Sequence, residues 1–292
     1  MSKVIHINHL SEIANKYDLF IIDQWGVLHD GKKGFSDAIL AVKELIKLEK
    51  KLIIISNSSQ RKKTIIDRLP KLGFHQKDFK EVLTSGEIIW QKLYNKSDPY
   101  FKKLGKKCFF LTDKFKKNEI KYINGLNYDF VENIEEADFI LGCTVPPGLR
   151  TIDYVPILEK AIKNKLPFIC ANPDYESIER SSIKSNICMG SVAELYKTFG
   201  GKVIINGKPC SEIYIESTKD YNEIKKNKIL AIGDSMYHDI KGAINFGIDS
   251  LLIASGIHHS IFNQINPIWN DNHKDLLEFK IKPTYLTLKL KF

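Results

Sequence analysis

The chain has 292 residues and a mass of 33.5 kDa, with 43% hydrophobic and 27% charged residues. That apolar share supports a sizeable core and excludes a mostly disordered chain, and the length suggests about two domains. Lys+Arg number 44 against 35 Asp+Glu, a net charge of +9, but the lysines are scattered, which reads as a solvated basic surface and not as a nucleic-acid-binding segment.

The predicted elements alternate short aliphatic strands with amphipathic helices. Leu19 to Ile22 is an apolar run ending at Asp23, the pattern of a strand buried on both faces. A glycine-containing loop follows from Trp25 to Gly34. Asp37 to Lys50 carries Ile39, Val42, Leu45 and Ile46 at helical spacing. Leu52 to Ile55 is a second buried strand, ending at Ser56-Asn57. Lys62 to Leu72 reads as a helix closed by Gly73. Val82-Leu83 leads to Thr84, an N-cap for a helix through Leu93.

The rhythm then repeats. Lys107 to Thr112, Phe139 to Gly142 and Phe168 to Cys170 read as strands, with helices at Tyr154 to Asn164 and Val192 to Phe199. Ile229 to Ile232 is a strand ending at Gly233-Asp234. A helix from His238 to Phe246 and a strand from Ser250 to Ile253 follow. The tail from Leu286 to Phe292 alternates with period two, as a half-buried strand does. Asn95 to Lys103 and Asn263 to Lys274 read as irregular connections. The expected fold class is α/β, a doubly wound parallel sheet with helices on both faces.

Five cysteines, Cys108, Cys143, Cys170, Cys188 and Cys210, form no C-x-x-C pair. Neither a disulfide framework nor a zinc site is expected. The first twenty residues do not read as a secretory leader, and no aliphatic run approaches the roughly 18 residues of a membrane span. A reducing, cytoplasmic setting is expected, with no membrane partner.

In an open parallel sheet, ligands bind beyond the carboxyl ends of the strands. Three strands here end in polar groups: Asp23, Ser56-Asn57 and Asp234. Asp23 and Asp234 could together hold a hard divalent ion through oxygen ligands, with Asp239 five residues further on aimed at the same point. Ser56 and Asn57 precede a helix and offer hydroxyl, amide and backbone N–H donors to a phosphate. Lys208, in Gly207-Lys208-Pro209, offers a cation for phosphate charge or for a nucleophilic carboxylate. His258-His259 is more economically a surface loop than a metal pair. Tyr94, Tyr100, Tyr122 and Tyr128 read as core and surface fill, and Cys143 and Cys170 as buried small hydrophobes.

These motifs, in this order, resemble the haloacid dehalogenase superfamily in its NagD-like branch (class IIA). The similarity rests on Ile21-Ile22-Asp23-Gln24-Trp25-Gly26-Val27-Leu28, on Ile53-Ile54-Ile55-Ser56-Asn57, on Asn206-Gly207-Lys208-Pro209, and on Gly233-Asp234 with Asp239. The resemblance implies a doubly wound, Rossmann-like parallel-sheet core of residues 1–83 and 205–292 and an inserted α/β cap domain of residues 84–204. Asn172-Pro173-Asp174 resembles an element of that cap, which makes Asn172 and Asp174 candidate substrate residues. It further implies a Mg²⁺-dependent phosphatase acting on a small phosphorylated metabolite, such as a sugar phosphate. Asp23 would be the nucleophile and form an aspartyl-phosphate. Mg²⁺ would be held by Asp23, the Trp25 backbone carbonyl and Asp234, with Asp239 supporting. Ser56 and Asn57 would bind the phosphoryl oxygens, and Lys208 would neutralise charge between nucleophile and phosphoryl group. A homodimer is left open.

One position departs from the family pattern. Phosphatases of this superfamily usually carry a second Asp two residues after the nucleophile, as general acid and base, and here that position is Trp25. The string Trp25-Gly26-Val27-Leu28-His29-Asp30-Gly31 is similar to a subgroup of the branch. An indole donates a hydrogen bond but is no acid or base near neutrality. Three readings stay open: a substrate whose leaving group needs no proton, a replacement acid such as His29 or Asp30, or a protein that binds a phosphorylated ligand without turning it over.

Overall fold

The computed structural model describes residues 3–96, 98–114, 120–177, 186–262, 267–271 and 274–292. The chain divides into two compact units. The first comprises Met1–Ser56, Ile65–Leu83 and Lys208–Phe292; the second comprises Asn57–Thr64 and Thr84–Gly207.

The first unit is built on a seven-stranded sheet. Its strands are β1 (Ile5–His6), β2 (Leu19–Ile22), β3 (Lys51–Ser56), β4 (Glu81–Thr84), β12 (Ile229–Gly233), β13 (Asp249–Ile253) and β14 (Tyr285–Thr287), in the spatial order β1-β14-β13-β12-β2-β3-β4. The pairs from β1 to β3 are parallel. Alternate residues of each strand serve opposite faces. Phe20, Ile22, Leu52, Ile54, Leu230, Ile232, Leu251, Ile253 and Tyr285 enter one core with Ala38, Ala41, Val42 and Leu45 of helix α1 (Ser36–Lys47). Leu252 and Leu286 enter another with Met236 and Ile240. Burial on both faces is why these strands read as unbroken aliphatic runs.

The second unit holds a five-stranded parallel sheet. Its strands are β5 (Lys107–Leu111), β6 (Asp129–Val131), β7 (Phe139–Gly142), β8 (Phe168–Cys170) and β11 (Val203–Ile205), in the order β11-β8-β7-β5-β6. One face packs Ile140, Phe168 and Cys170 against Leu158, Met189, Val192 and Tyr196. The other packs Cys108, Phe139, Leu141 and Ile169 against Ile89, Leu93, Phe101, Tyr122 and Tyr128. A short antiparallel pair, β9 (Glu176–Ser177) with β10 (Asn186–Ile187), lies apart from the sheet. The α/β class and parallel sheets are as expected, and Cys143, Cys170, Tyr122 and Tyr128 are buried as fill. No helix among the described residues is long and apolar enough to cross a membrane.

Several local expectations are corrected. The helix from Lys62 is α2 (Lys62–Arg68); it tightens to a 3-10 turn at Leu69–Leu72, where Pro70 has no N–H to continue it. The connection at 95–103, of which Ser97 lies outside the described residues, contains a helical turn at Pro99–Lys102. Asp98 caps that turn by accepting from the Tyr100 N–H at 2.7 Å. The tail is no half-buried strand. Only Tyr285–Thr287 is extended, and it is buried on both faces because Tyr285 enters the core with Phe20 and Ile22 while Leu286 enters the one with Met236 and Ile240. Of the connection expected at 263–274, residues 263–266 and 272–273 lie outside the described residues, and 267–270 are irregular. The helix expected from His238 opens as a wide π-type turn, Met236–Ile240, before the regular helix Lys241–Phe246. β1, β6, β11 and the helix Ser211–Thr218 were not anticipated: the three strands are too short for periodicity to repeat, and the helix has no clear apolar stripe.

Candidate active site

The strand registers bring the first unit's polar strand ends together. Ile22 of β2 lies opposite Ile54 of β3 and Ile232 of β12. Continued along the strands, the same registers put Asp23 beside Ile55 and Gly233, with Ser56 and Asp234 one residue beyond. Asp23 donates its backbone N–H to Ile232 O at 2.9 Å, so β2 is still anchored where the carboxylate begins.

Asp23, Asp234 and Asp239 form one acidic group, each offering a carboxylate oxygen within 4.8 Å of the others, and all three are buried. Lys208 is a buried cation in contact with two of them. Its Nζ donates to Asp23 Oδ1 at 2.5 Å and to Asp239 Oδ1 at 2.7 Å. Asp239 Oδ2 accepts from the Ser235 N–H at 3.0 Å, and Asp234 Oδ2 accepts from the Ile257 N–H at 2.9 Å. The π-type turn delivers Asp239 here, and such turns recur at functional positions. The Tyr214 hydroxyl donates to the Asp239 backbone carbonyl at 3.3 Å.

Glycine makes room for this group. Gly26 has a φ of +81° and no space for a Cβ, which would collide with the Asp234 carboxylate. Only glycine satisfies both demands. Gly256 crowds the same carboxylate from another loop.

Electrostatically, the three carboxylates outnumber the ammonium that bridges them. Burial, and then the neighbouring Asp23 and Asp239, push the Asp234 carboxyl well above the usual carboxylate range. Hard oxygen donors with unbalanced negative charge suit a divalent cation such as Mg²⁺ or Ca²⁺. The residues present fit a metal of that class.

The loop after β2 is tightly folded. Trp25 and His29 are bridge partners, and their rings meet edge-on with centroids 5.6 Å apart. The indole also lies against Gly31, whose φ is +90° and where a Cβ would strike the ring. Arg68 donates to the Gly31 carbonyl. The two candidate replacements for the missing acid are both engaged in this loop. His29 Nδ1 accepts from the Gly31 N–H at 3.0 Å, and burial followed by Arg68 lowers the imidazole to about 4. Asp30 Oδ1 accepts from the Lys32 and Lys33 N–H groups, each at 2.9 Å. The Lys33 N–H, chief among these contacts, holds its carboxyl below the usual range.

Asn57, next after Ser56, belongs to the second unit. Its amide Nδ2 donates to Asp174 Oδ1 at 2.8 Å. The Asp174 N–H in turn donates to Asn172 Oδ1 at 3.1 Å. Asn172 and Asp174 therefore form part of one turn, and nothing in the sequence signalled the tie from Asp174 to Asn57. Of the two neighbouring histidines, His258 is partly buried and accepts from the Met236 N–H at 3.0 Å, against the surface position expected, while His259 is exposed. Phe279 packs edge-on against the His258 ring, which draws it inward.

Comparisons with known proteins agree with this architecture. A family model described as haloacid dehalogenase-like hydrolase matches residues 20–124, and a second model, HAD-hydrolase-like, matches residues 205–290. The chain is 25% identical over 248 residues to the 5′-nucleotidase YutF of Bacillus subtilis, covering 82% of this chain and 88% of that one. It is 22% identical over 280 residues to the D-glycerol 3-phosphate phosphatase of Mycobacterium tuberculosis, covering 95% and 71%. A crystal structure of a haloacid dehalogenase-like hydrolase from Brucella suis superposes with a TM-score of 0.81 at 25% identity, covering 97% of this chain and 99% of the other. The chain belongs to the haloacid dehalogenase-like hydrolases, in their NagD-like branch.

Proposed function

We propose that this protein hydrolyses a phosphoric monoester of a small metabolite through an aspartyl-phosphate on Asp23. The observation that carries this reading is the ammonium of Lys208 in contact with both Asp23 and Asp239, beside Asp234. The similarity to proteins named as a 5′-nucleotidase and a glycerol-phosphate phosphatase supports the substrate class.

An Asp23 carboxylate oxygen attacks phosphorus while the bond from phosphorus to the leaving oxygen breaks. Water then attacks the phosphorus of the aspartyl-phosphate, releasing inorganic phosphate and restoring the carboxylate. Lys208 holds Asp23 in place and offsets the charge of the incoming phosphoryl group. Ser56 and Asn57 donate to its oxygens. Asp23, the Trp25 backbone carbonyl and Asp234, with Asp239 in support, would hold a divalent cation, magnesium in this reading. When bound it supplies the charge neutralisation that lets an anionic nucleophile approach an anionic ester. The inserted segment, residues 84–204, is assigned the role of substrate selection.

Trp25 shapes the substrate preference. The position holds an indole, and His29 Nδ1 and the Asp30 carboxylate both accept hydrogen bonds from backbone N–H groups. None of the three offers a ready proton to a leaving oxygen. The reading therefore favours esters whose leaving oxygen departs as a stable anion.

The test is phosphate release from a panel of phosphorylated metabolites with and without Mg²⁺, with Asp23→Asn alongside. Metal-dependent release that disappears in the variant is expected. An unreactive wild type across the panel, or a fully active Asp23→Asn, overturns the proposal.

A further inference from the structure

We infer that His258 is a positioning residue for the cation site: its Nε2 holds the Met236 N–H and so pins the turn that carries Asp239 to the loop that grips Asp234. The inference rests on the reading that Asp23, Asp234 and Asp239 bind a divalent cation. All of these residues belong to the first unit.

The first N–H groups of a helix have no partner inside it. At the head of the π-type turn Met236–Ile240, the His238 N–H donates to the Ser235 hydroxyl at 3.3 Å. The Met236 N–H donates to His258 Nε2 at 3.0 Å. Met236 is fully buried, so water is no substitute acceptor there. A backbone N–H can only donate. The imidazole nitrogen that faces it therefore carries a lone pair, and the ring proton sits on Nδ1.

Asp239 follows this turn. Its N–H donates to the Ser235 carbonyl at 2.9 Å, and its Oδ2 accepts from the Ser235 N–H at 3.0 Å. Ser235 immediately precedes Met236, so a hold on the Met236 N–H is a hold on the base of Asp239. The same loop acts on Asp234. The Ile257 N–H donates to Asp234 Oδ2 at 2.9 Å, and a Cβ on Gly256 would stand 2.1 Å from that oxygen. Two adjacent residues, Ile257 and His258, thus fasten one carboxylate directly and the other through its turn. The imidazole is itself held by packing. Phe279 meets it edge-on with centroids 5.1 Å apart, and Tyr237 lies tilted at 6.4 Å. Groups that orient metal ligands in this way, with their own rotamers locked by neighbours, set the precision of the site.

The experiment measures Kd for Mg²⁺ by titration calorimetry on the full chain, with the thermal midpoint in EDTA as a separate measure of stability. His258→Phe keeps an aromatic ring and removes the acceptor. His258→Gln gives up the ring and keeps an acceptor oxygen. His258→Phe is expected to weaken Mg²⁺ binding about tenfold. His258→Gln is expected to stay within about threefold of wild type, although its midpoint falls with the lost packing on Phe279. A merely structural role predicts the opposite order, because phenylalanine preserves the packing better. Should His258→Phe fail to fold, His258→Met takes its place, being as long as glutamine and lacking its carbonyl. His259→Phe, on the exposed neighbour, is expected to bind as wild type does. If Asp234→Asn weakens binding but the acceptor-free variant does not, or if His258→Gln or His259→Phe loses as much as that variant, the inference is overturned and the cation reading survives. If the wild type binds no Mg²⁺, or Asp234→Asn binds it equally well, the cation reading fails and the inference falls with it.

Discussion

Lys208 Nζ lies 2.7 Å from Asp239 Oδ1, and the two side chains are 3% and 6% exposed. The same nitrogen contacts Asp23, so one cation restrains two of three crowded carboxylates. Lys208→Met keeps most of the length of the side chain and removes the charge. Leaving a buried charge without its partner typically costs about 3–5 kcal/mol. Urea unfolding in EDTA is expected to reveal a loss of that order, with activity down by about 10²–10³. An unchanged midpoint would mean that the ammonium does not stabilise the group.

Divalent cations are expected to stabilise the native protein. Asp234 bears a strain of like charge, being pushed up by burial and by Asp23 and Asp239. A ligand bound to the native state alone at a hundred times its Kd adds about 2.7 kcal/mol. Mg²⁺ should therefore raise the thermal midpoint over that in EDTA, and Asp234→Asn should abolish most of the rise. An equal rise in the variant would place the cation elsewhere.

The leaving group should control the rate. General acid assistance is typically worth about 10²–10⁴, and Trp25 supplies none. Aryl phosphates should outpace alkyl phosphates by a margin of that order, with kcat/KM tracking the acidity of the departing alcohol. Trp25→Asp should narrow the gap, at some cost in stability from lost packing on Gly31 and His29. A flat dependence in the wild type would mean that a proton donor is present.

In the second unit, Glu87 pairs with Arg61 through Oε2 to Nε at 2.8 Å and Oε1 to Nη2 at 3.2 Å. It also accepts from the Lys62 N–H and from Gln91. Burial raises the Glu87 carboxyl, but these hydrogen bonds outweigh it and the net shift is down from the ordinary 4.5. A group lowered in the folded state adds stability above its unfolded value and loses it as pH falls through the folded one. Glu87→Gln should therefore destabilise at neutral pH by about 1–3 kcal/mol and converge with wild type in acid, as followed by urea unfolding at both pH values. A gap that persists unchanged into acid would rule out the charge as its source.

Much of this protein is legible along the chain. Leu19–Ile22, Leu52–Ile55 and Ile229–Ile232 declare themselves as buried parallel strands because both faces are covered, so no polar residue interrupts them. A strand of known direction then locates its own carboxyl end, and Asp23, Ser56 and Asp234 follow from that alone. Local chemistry likewise names the Thr84 cap, whose hydroxyl accepts from the Glu87 N–H at 2.9 Å.

What the chain could not disclose depends on partners far away in sequence. Asp23 and Lys208 are 185 positions apart and Asn57 and Asp174 are 117, and no periodicity carries a contact across such intervals. The acidity of Asp234, the closure of Gly26 against its carboxylate and the partner of the Asn57 amide are set by what the folded chain packs beside each group. The tail was misread for the same reason: alternation reports one covered face, and only the packing of Tyr285 and Leu286 into two different cores reveals that β14 has two. The sequence by itself determined which residues stand at the strand ends and their chemical types, because backbone direction and side-chain identity are local. The tertiary structure alone decided which of them touch, because burial, field and hydrogen-bond partner are properties of a neighbourhood assembled from distant segments.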